Sequence, residues 1–171
     1  MDPREFRAEE RLRNEAVVTF RAMQAGDRDR VREAYSRLSP EAIYLRAFRY
    51  KKELNESELT RLTDVDFGRE VALVVTTGAG AQEVVIAGGR YVCTDSIAAE
   101  VAFTVDERYR GLGIASRLLK HLATIARGRG IARFDAEVLA NNQPMLAVFT
   151  RSGLRMERRR EGGVVHVELA L

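Results

Sequence analysis

The chain is poor in the residues that build covalent staples and metal centres. Cys93 is its one cysteine, which excludes an internal disulfide and fits a reducing compartment. Two histidines and one cysteine, without clustered spacing, do not make a metal site, so no metal is expected. No apolar run approaches the roughly 20 residues that a membrane-spanning helix needs. The start, Met1-Asp2-Pro3-Arg4-Glu5-Phe6-Arg7, lacks the apolar stretch of a secretion signal. A cytoplasmic protein with no membrane partner is therefore expected. What is present suffices for one core: 171 residues, 46% hydrophobic and 31% charged, without linker, repeat or low-complexity stretch.

The charge is small in total and uneven in place. Lys plus Arg is 28 against 25 acids, a net +3. Between Arg108 and Phe134 stand Arg108, Arg110, Arg117, Lys120, Arg127, Arg129 and Arg133, with no acid among them. This segment alone exceeds the excess of the whole chain, so the rest is mildly acidic. A solvated helix face is one explanation and a polyanion site is another. The segment has few aromatics and no reader motif, so nucleic acid is not expected as a partner.

Periodicity predicts the order βαα(α)βββαβαββ. Residues 1–14 read as a charged N-terminal extension, a surface helix or frayed, opened by Asp2-Pro3-Arg4-Glu5. A strand is predicted at 16–23, and a helix from Gly26-Asp27 carrying Val31, Ala34, Tyr35 and Leu38. Ser39-Pro40-Glu41 reads as a helix restart, followed by a short helix at 56–62. Strands follow at 71–76, 84–92 and 99–106, then a helix from Gly111 to about Arg127. A strand at 131–139, a helix at 143–152 and a final strand pair around Glu161-Gly162-Gly163 complete the chain. The pattern describes an α/β (α+β) fold: one domain, a mixed and mostly antiparallel sheet flanked by helices on both faces.

The chemistry gathers at Val105-Asp106-Glu107-Arg108-Tyr109-Arg110-Gly111-Leu112-Gly113-Ile114-Ala115-Ser116, which joins a strand to a helix. Glycines there allow close backbone approach to a ligand, and a helix start offers unpaired N–H groups to phosphate. It is not a dinucleotide fingerprint, because Ser116 takes the third glycine position. Nor is it a nucleoside-triphosphate loop, since no Lys-Ser or Lys-Thr follows. Phosphate binding and tight helix–strand packing remain equal readings of the bare pattern.

Arg108-x-x-Gly111-x-Gly113 before a basic amphipathic helix resembles the pyrophosphate motif of the GNAT superfamily of acyl-CoA-dependent N-acetyltransferases. The run from Asn142 to Leu154 is similar to that family's second segment, with an Asn opening a helix and an aromatic, Phe149, seven residues on. Leu38-Ser39-Pro40-Glu41, Tyr44-Leu45-Arg46-x-Phe48 and the Leu59–Asp66 segment resemble the GNAT module of bacterial Pat-type protein lysine acetyltransferases. The resemblance covers 15–171 as one acetyltransferase domain. In that subfamily the module is commonly joined to regulatory domains, for which 171 residues leave no room.

The resemblance implies acetyl-CoA as co-substrate and direct attack by an amine in a ternary complex. The backbone at Phe103, Thr104 and Val105 would pair with the pantetheine arm. N–H groups of Gly111, Leu112, Gly113, Ile114, Ala115 and Ser116 would hold the pyrophosphate, with Arg108, Arg110 and Arg117 as cations. Asn142 would reach the cofactor near the thioester, or else simply cap its helix. Glu100 matches the general-base position, with partial desolvation expected to raise its pKa; an ion pair on the sheet face is the alternative. Many relatives carry Tyr where Phe149 stands, and Phe149 cannot donate a proton. Cys93, His121 and His166 read as packing or surface residues. The acceptor is expected to be a protein lysine or a small amine, and the protein a monomer or homodimer. A non-catalytic acyl-CoA sensor module is the alternative.

Overall fold

The computed structural model describes residues 1–38 and 54–171; the helix restart at Ser39-Pro40-Glu41 and the matches between Tyr44 and Phe48 lie outside the described residues. Eight strands form one sheet: β1 (Arg7–Arg11), β2 (Val17–Ala22), β3 (Glu70–Thr77), β4 (Val84–Cys93), β5 (Ala98–Val105), β6 (Arg133–Leu139), β7 (Arg155–Glu161) and β8 (Val164–Ala170). Their spatial order is β1-β2-β3-β4-β5-β6-β8-β7. Every neighbouring pair is antiparallel except β5 with β6. The described helices longer than one turn are α1 (Arg28–Ser36), α2 (Glu56–Thr63), α3 (Ile114–Gly128) and α4 (Gln143–Thr150).

Alternation along β3 shows why helices cover both faces. Val71, Leu73 and Val75 enter the large core with α3 and α4, while Ala72 and Val74 enter a second core with Val31 and Ala34 of α1. The α3 stripe Ile114, Leu118, Leu122 and Ile125 lies in the large core as its spacing predicts. Beyond β5 the two faces differ. Phe134, Ala136, Val165, Val167 and Leu169 point into the large core, whereas Asp135, Glu137, His166 and Glu168 occupy the opposite face.

One expectation fails at the N-terminus. The charged segment read as a surface helix or frayed extension is a strand, β1, in register with β2 from Arg7↔Arg21 to Arg11↔Val17. Its charges conceal a half-buried face, because Ala8 and Glu10 turn inward. Glu10 Oε2 lies 2.5 Å from Nε2 of His121, whose ring meets Phe6 at a tilt and Phe20 edge-on, at 5.0 and 5.2 Å. A buried ion cluster anchors the other side of the sheet. Arg21, 4% exposed, donates two hydrogen bonds to Asp27, 0% exposed, at 2.6 and 2.8 Å, and a third to Glu83 at 3.1 Å. Burial alone would raise the Asp27 carboxyl, but the Arg21 hydrogen bonds, the Gln24 N–H and the charges of Arg21 and Arg30 together hold the group below its ordinary pKa.

Candidate active site

The parallel pair at the centre of the sheet opens a cleft. β5 and β6 are in register only from Ala98↔Arg133 to Glu100↔Asp135. After that row β5 keeps β4 as its partner and β6 keeps β8, so Val101–Val105 has an edge without a strand on it. At about 3.3 Å per residue, the path from Glu100 to Val105 spans about 17 Å. That edge carries backbone groups able to pair with an extended ligand.

The glycine turn lies at the wide end. Gly111 and Gly113 have φ of 78° and 87°, conformations that side chains rarely adopt. Gly113 is the cap of α3, and the first helical bond runs from the Arg117 N–H to the Gly113 carbonyl at 3.1 Å. The N–H groups of Ile114, Ala115 and Ser116 therefore have no partner within the helix. Nothing lies within 4 Å of where a Gly111 Cβ would stand, so the backbone there is open to a ligand.

Asp106, 6% exposed, organises this turn. It accepts from the Arg108 N–H at 3.0 Å and from Arg108 Nη2 at 3.0 Å, while Arg37 Nε approaches at 3.4 Å. Burial pushes this carboxyl up, but the hydrogen bonds and charge of Arg108 hold it below its ordinary value. Two cations expected at the phosphate are thus already engaged. Arg108 serves Asp106; Arg117 donates to the Arg11 carbonyl at 2.9 Å and lies 3.7 Å from Glu10. Arg110 is exposed. The sequence reading passed over Asp106, although an Asp two residues before Arg at a strand end is a turn-capping signal.

The narrow end holds Glu100. It stands on the last paired row, on the face shared with Ala102 and Thr104, and it is exposed rather than partly desolvated as expected. Among the described residues no cation lies within ion-pair distance of it, and Arg133 pairs with Asp135 instead. On this face, α1, α2 and strands β3 to β5 line an open cavity of about 220 Å³. Tyr35, Arg61, Leu62, Arg90, Ala102 and Thr104 are among its walls. Arg90 donates to the Glu70 carboxylate and to the Leu62 carbonyl at 2.8 Å, and burial lowers its pKa.

Asn142 lies at the foot of α4, beyond β6 on the other wall of the cleft. Its Oδ1 accepts from the Met145 N–H at 3.3 Å, so it is a helix cap, and its amide NH₂ is left as a donor. Phe149 is 1% exposed and packs against Phe103 with ring centroids 6.1 Å apart. Its ring belongs to the core. Ile114 is buried too, so only its backbone can serve a ligand. His121 is half-buried against the N-terminal hairpin, and Nδ1 of His166 lies 3.3 Å from Glu137. Among the described residues no cluster of His, Cys, Asp and Glu could hold a metal, and no helix is long and apolar enough to cross a membrane.

A sheet parted at its parallel pair, with a glycine turn leading into a helix at the wide end, suits a ligand that joins an extended arm to phosphate. Residues 30–154 match the Acetyltransferase (GNAT) family, and the chain belongs to it. It is 34% identical over 152 residues to Acetyltransferase Pat of Mycolicibacterium smegmatis, covering 88% of this chain and 44% of that protein. The chain thus spans under half the length of that relative. The GNAT domain of S. lividans PAT superposes with a TM-score of 0.88 at 36% identity, over 96% of this chain and 97% of that one. The fold also matches yncA of Salmonella typhimurium with its cofactor acetyl-CoA, at TM-score 0.70 and 17% identity, over 90% of this chain and 92% of that one.

Proposed function

We propose that the protein transfers the acetyl group of acetyl-CoA to a primary amine, a protein lysine above all, by direct attack in a ternary complex. The observation that carries the reading is the place of Glu100. It stands where β5 and β6 part, on the face that bears the cavity, so one strand joins a cofactor edge to an acceptor chamber. The pantetheine arm lies along the backbone of Phe103, Thr104 and Val105, with its pyrophosphate on the N–H groups from Gly111 to Ser116. Asn142 donates its free amide toward the thioester end.

A lysine amine of pKa about 10.4 is neutral in only about one molecule per thousand at pH 7.4. Glu100, directly or through one water, takes the proton as nitrogen attacks the thioester carbon. The carbon–nitrogen bond forms, the carbon–sulfur bond breaks, the nitrogen gives its second proton to water, and the thiolate takes its proton from water, since Phe149 offers none. Acids on and after α2, among them Glu58, Asp64 and Asp66, favour a lysine-bearing protein over a small amine. The single Cys93 and the coenzyme suit the cytoplasm.

Calorimetric titration with acetyl-CoA, followed by mass spectrometry of acceptors, tests this. Micromolar binding and acetyl transfer by the wild type are expected. Binding without transfer to any protein or amine would identify a sensor module instead, and no binding at near-millimolar coenzyme would remove the whole reading.

A further inference from the structure

The cations that the sequence marks for the phosphates are largely spoken for, which raises the question of what charge faces the glycine turn. Arg13 answers it from 98 residues away. It stands in the turn between β1 and β2, beside Leu12, which is 3% exposed and fixes that turn in the core. Its Nη1 donates to the Gly111 carbonyl at 3.3 Å. Its Nη2, Nε and Cζ lie 3.8, 3.9 and 4.0 Å from where a Gly113 Cβ would be, so the guanidinium lies across the Gly-x-Gly turn. Among the described residues no carboxylate is within ion-pair distance of it. Arg108 and Arg117 differ in this respect, since Asp106 and Glu10 neutralise them.

The placement is held at several points. Arg117 Nη1 binds the Arg11 carbonyl, His121 binds Glu10, and the Leu12 N–H closes the turn on the Ala16 carbonyl at 2.8 Å. The hairpin is therefore docked along the first two turns of α3, and its tip is kept beside the helix start. A neutral carbonyl at 3.3 Å is a weak partner for a guanidinium, whose charge-assisted bonds to phosphate oxygens are shorter and stronger.

We infer that Arg13 is a pyrophosphate-binding residue: the N-terminal hairpin supplies the uncompensated cation that completes the anion site of the glycine turn. The inference rests on the acetyl-CoA reading above. Its consequence is that β1 and its turn belong to the cofactor site, and that cofactor affinity depends on a segment outside the helix that carries the motif.

Coenzyme A, dephospho-coenzyme A (which lacks the 3′-phosphate) and pantetheine (which lacks all phosphates) separate the outcomes, measured by calorimetry on wild type, Arg13→Ala and Arg13→Lys. Arg13→Ala is expected to weaken coenzyme A and dephospho-coenzyme A equally, about five- to twentyfold, and to leave pantetheine unchanged. Arg13→Lys should restore part of the loss. Unchanged affinity in Arg13→Ala overturns the inference while the acetyl-CoA reading stands. A loss confined to coenzyme A moves the contact to the 3′-phosphate and overturns the pyrophosphate assignment. Equal loss for pantetheine, with a lowered Tm, reduces Arg13 to a structural role. A wild type that binds none of the three removes both readings together.

Discussion

The two ends of the cleft are built in different ways. The wide end is nearly continuous in sequence: Asp106, Arg108, Gly111, Gly113 and the first turn of α3 follow one another, Asp106 is bonded to Arg108, and Arg13 and Arg37 reach in from afar. The narrow end is assembled from afar. Glu100 on β5 meets Asp135 on β6 through register alone, and the cavity beside it takes walls from α1, α2, β3, β4 and β5. Anion binding can be written into a dozen residues because backbone N–H groups do the work. Proton transfer to a substrate needs a side chain and a chamber whose mutual geometry only the whole sheet supplies.

The comparison can be broken most severely at Glu100. Glu100→Gln should lower acetyl transfer by about 10²- to 10⁴-fold while cofactor affinity stays within about twofold. Steady-state rates beside calorimetry separate the two quantities. A variant that turns over every acceptor as the wild type does would falsify the base assignment. The next largest effect lies in the buried ion cluster, whose Arg21 stands on the sheet row of Thr104. Arg21→Met removes both short hydrogen bonds to buried Asp27 and leaves it only Arg30, 3.3 Å away, at a cost of about 3 kcal/mol. For a chain of this size that is about 10 °C in Tm.

The wide end answers to local substitutions. Gly113→Ala places a side chain at φ 87°, a strain of about 1–2 kcal/mol, against the Arg13 guanidinium. Coenzyme A affinity should fall about five- to thirtyfold, with a Tm loss of only a few degrees and no change in pantetheine affinity. If Gly113→Ala instead lowers pantetheine affinity as much, the two ends are one cooperative unit and the comparison fails.

The same contrast explains what was legible in the sequence. Helices and central strands announced themselves through period, because Val71, Leu73 and Val75 or Ile114, Leu118 and Leu122 must reach one core. The glycine turn was legible for the same local reason. β1 was not, since Glu10 reads as surface charge until His121 and Arg117 are brought to it across the fold. Arg13 was lost with it. The exposure of Glu100 was not legible, because alternation with Val101 and Phe103 sets its face but not what covers that face. Phe149 was recognised as lacking a hydroxyl, yet its packing on Phe103 depends on a strand nearly 50 residues away.

The smallest expected effect tests whether the wide end holds itself together. Asp106→Asn keeps an oxygen for the Arg108 N–H and removes the negative charge that Arg108 and Arg37 share. Because Arg108 is largely exposed, solvent screens much of the pairing, and the loss should be about 0.5–1.5 kcal/mol at neutral pH. The folded pKa of Asp106 lies below its unfolded value, so this stabilisation is complete above the ordinary Asp pKa of about 3.9. It disappears as pH falls through the lowered folded value. Asp27 and Glu83 are also lowered and lose their stabilisation in the same range, in wild type and variant alike. Urea titrations should therefore show a stability gap between wild type and Asp106→Asn that is constant near neutrality and closes below about pH 4. A gap that persists into acid would mean that the carboxylate charge contributes nothing and that the turn rests on its backbone hydrogen bonds alone.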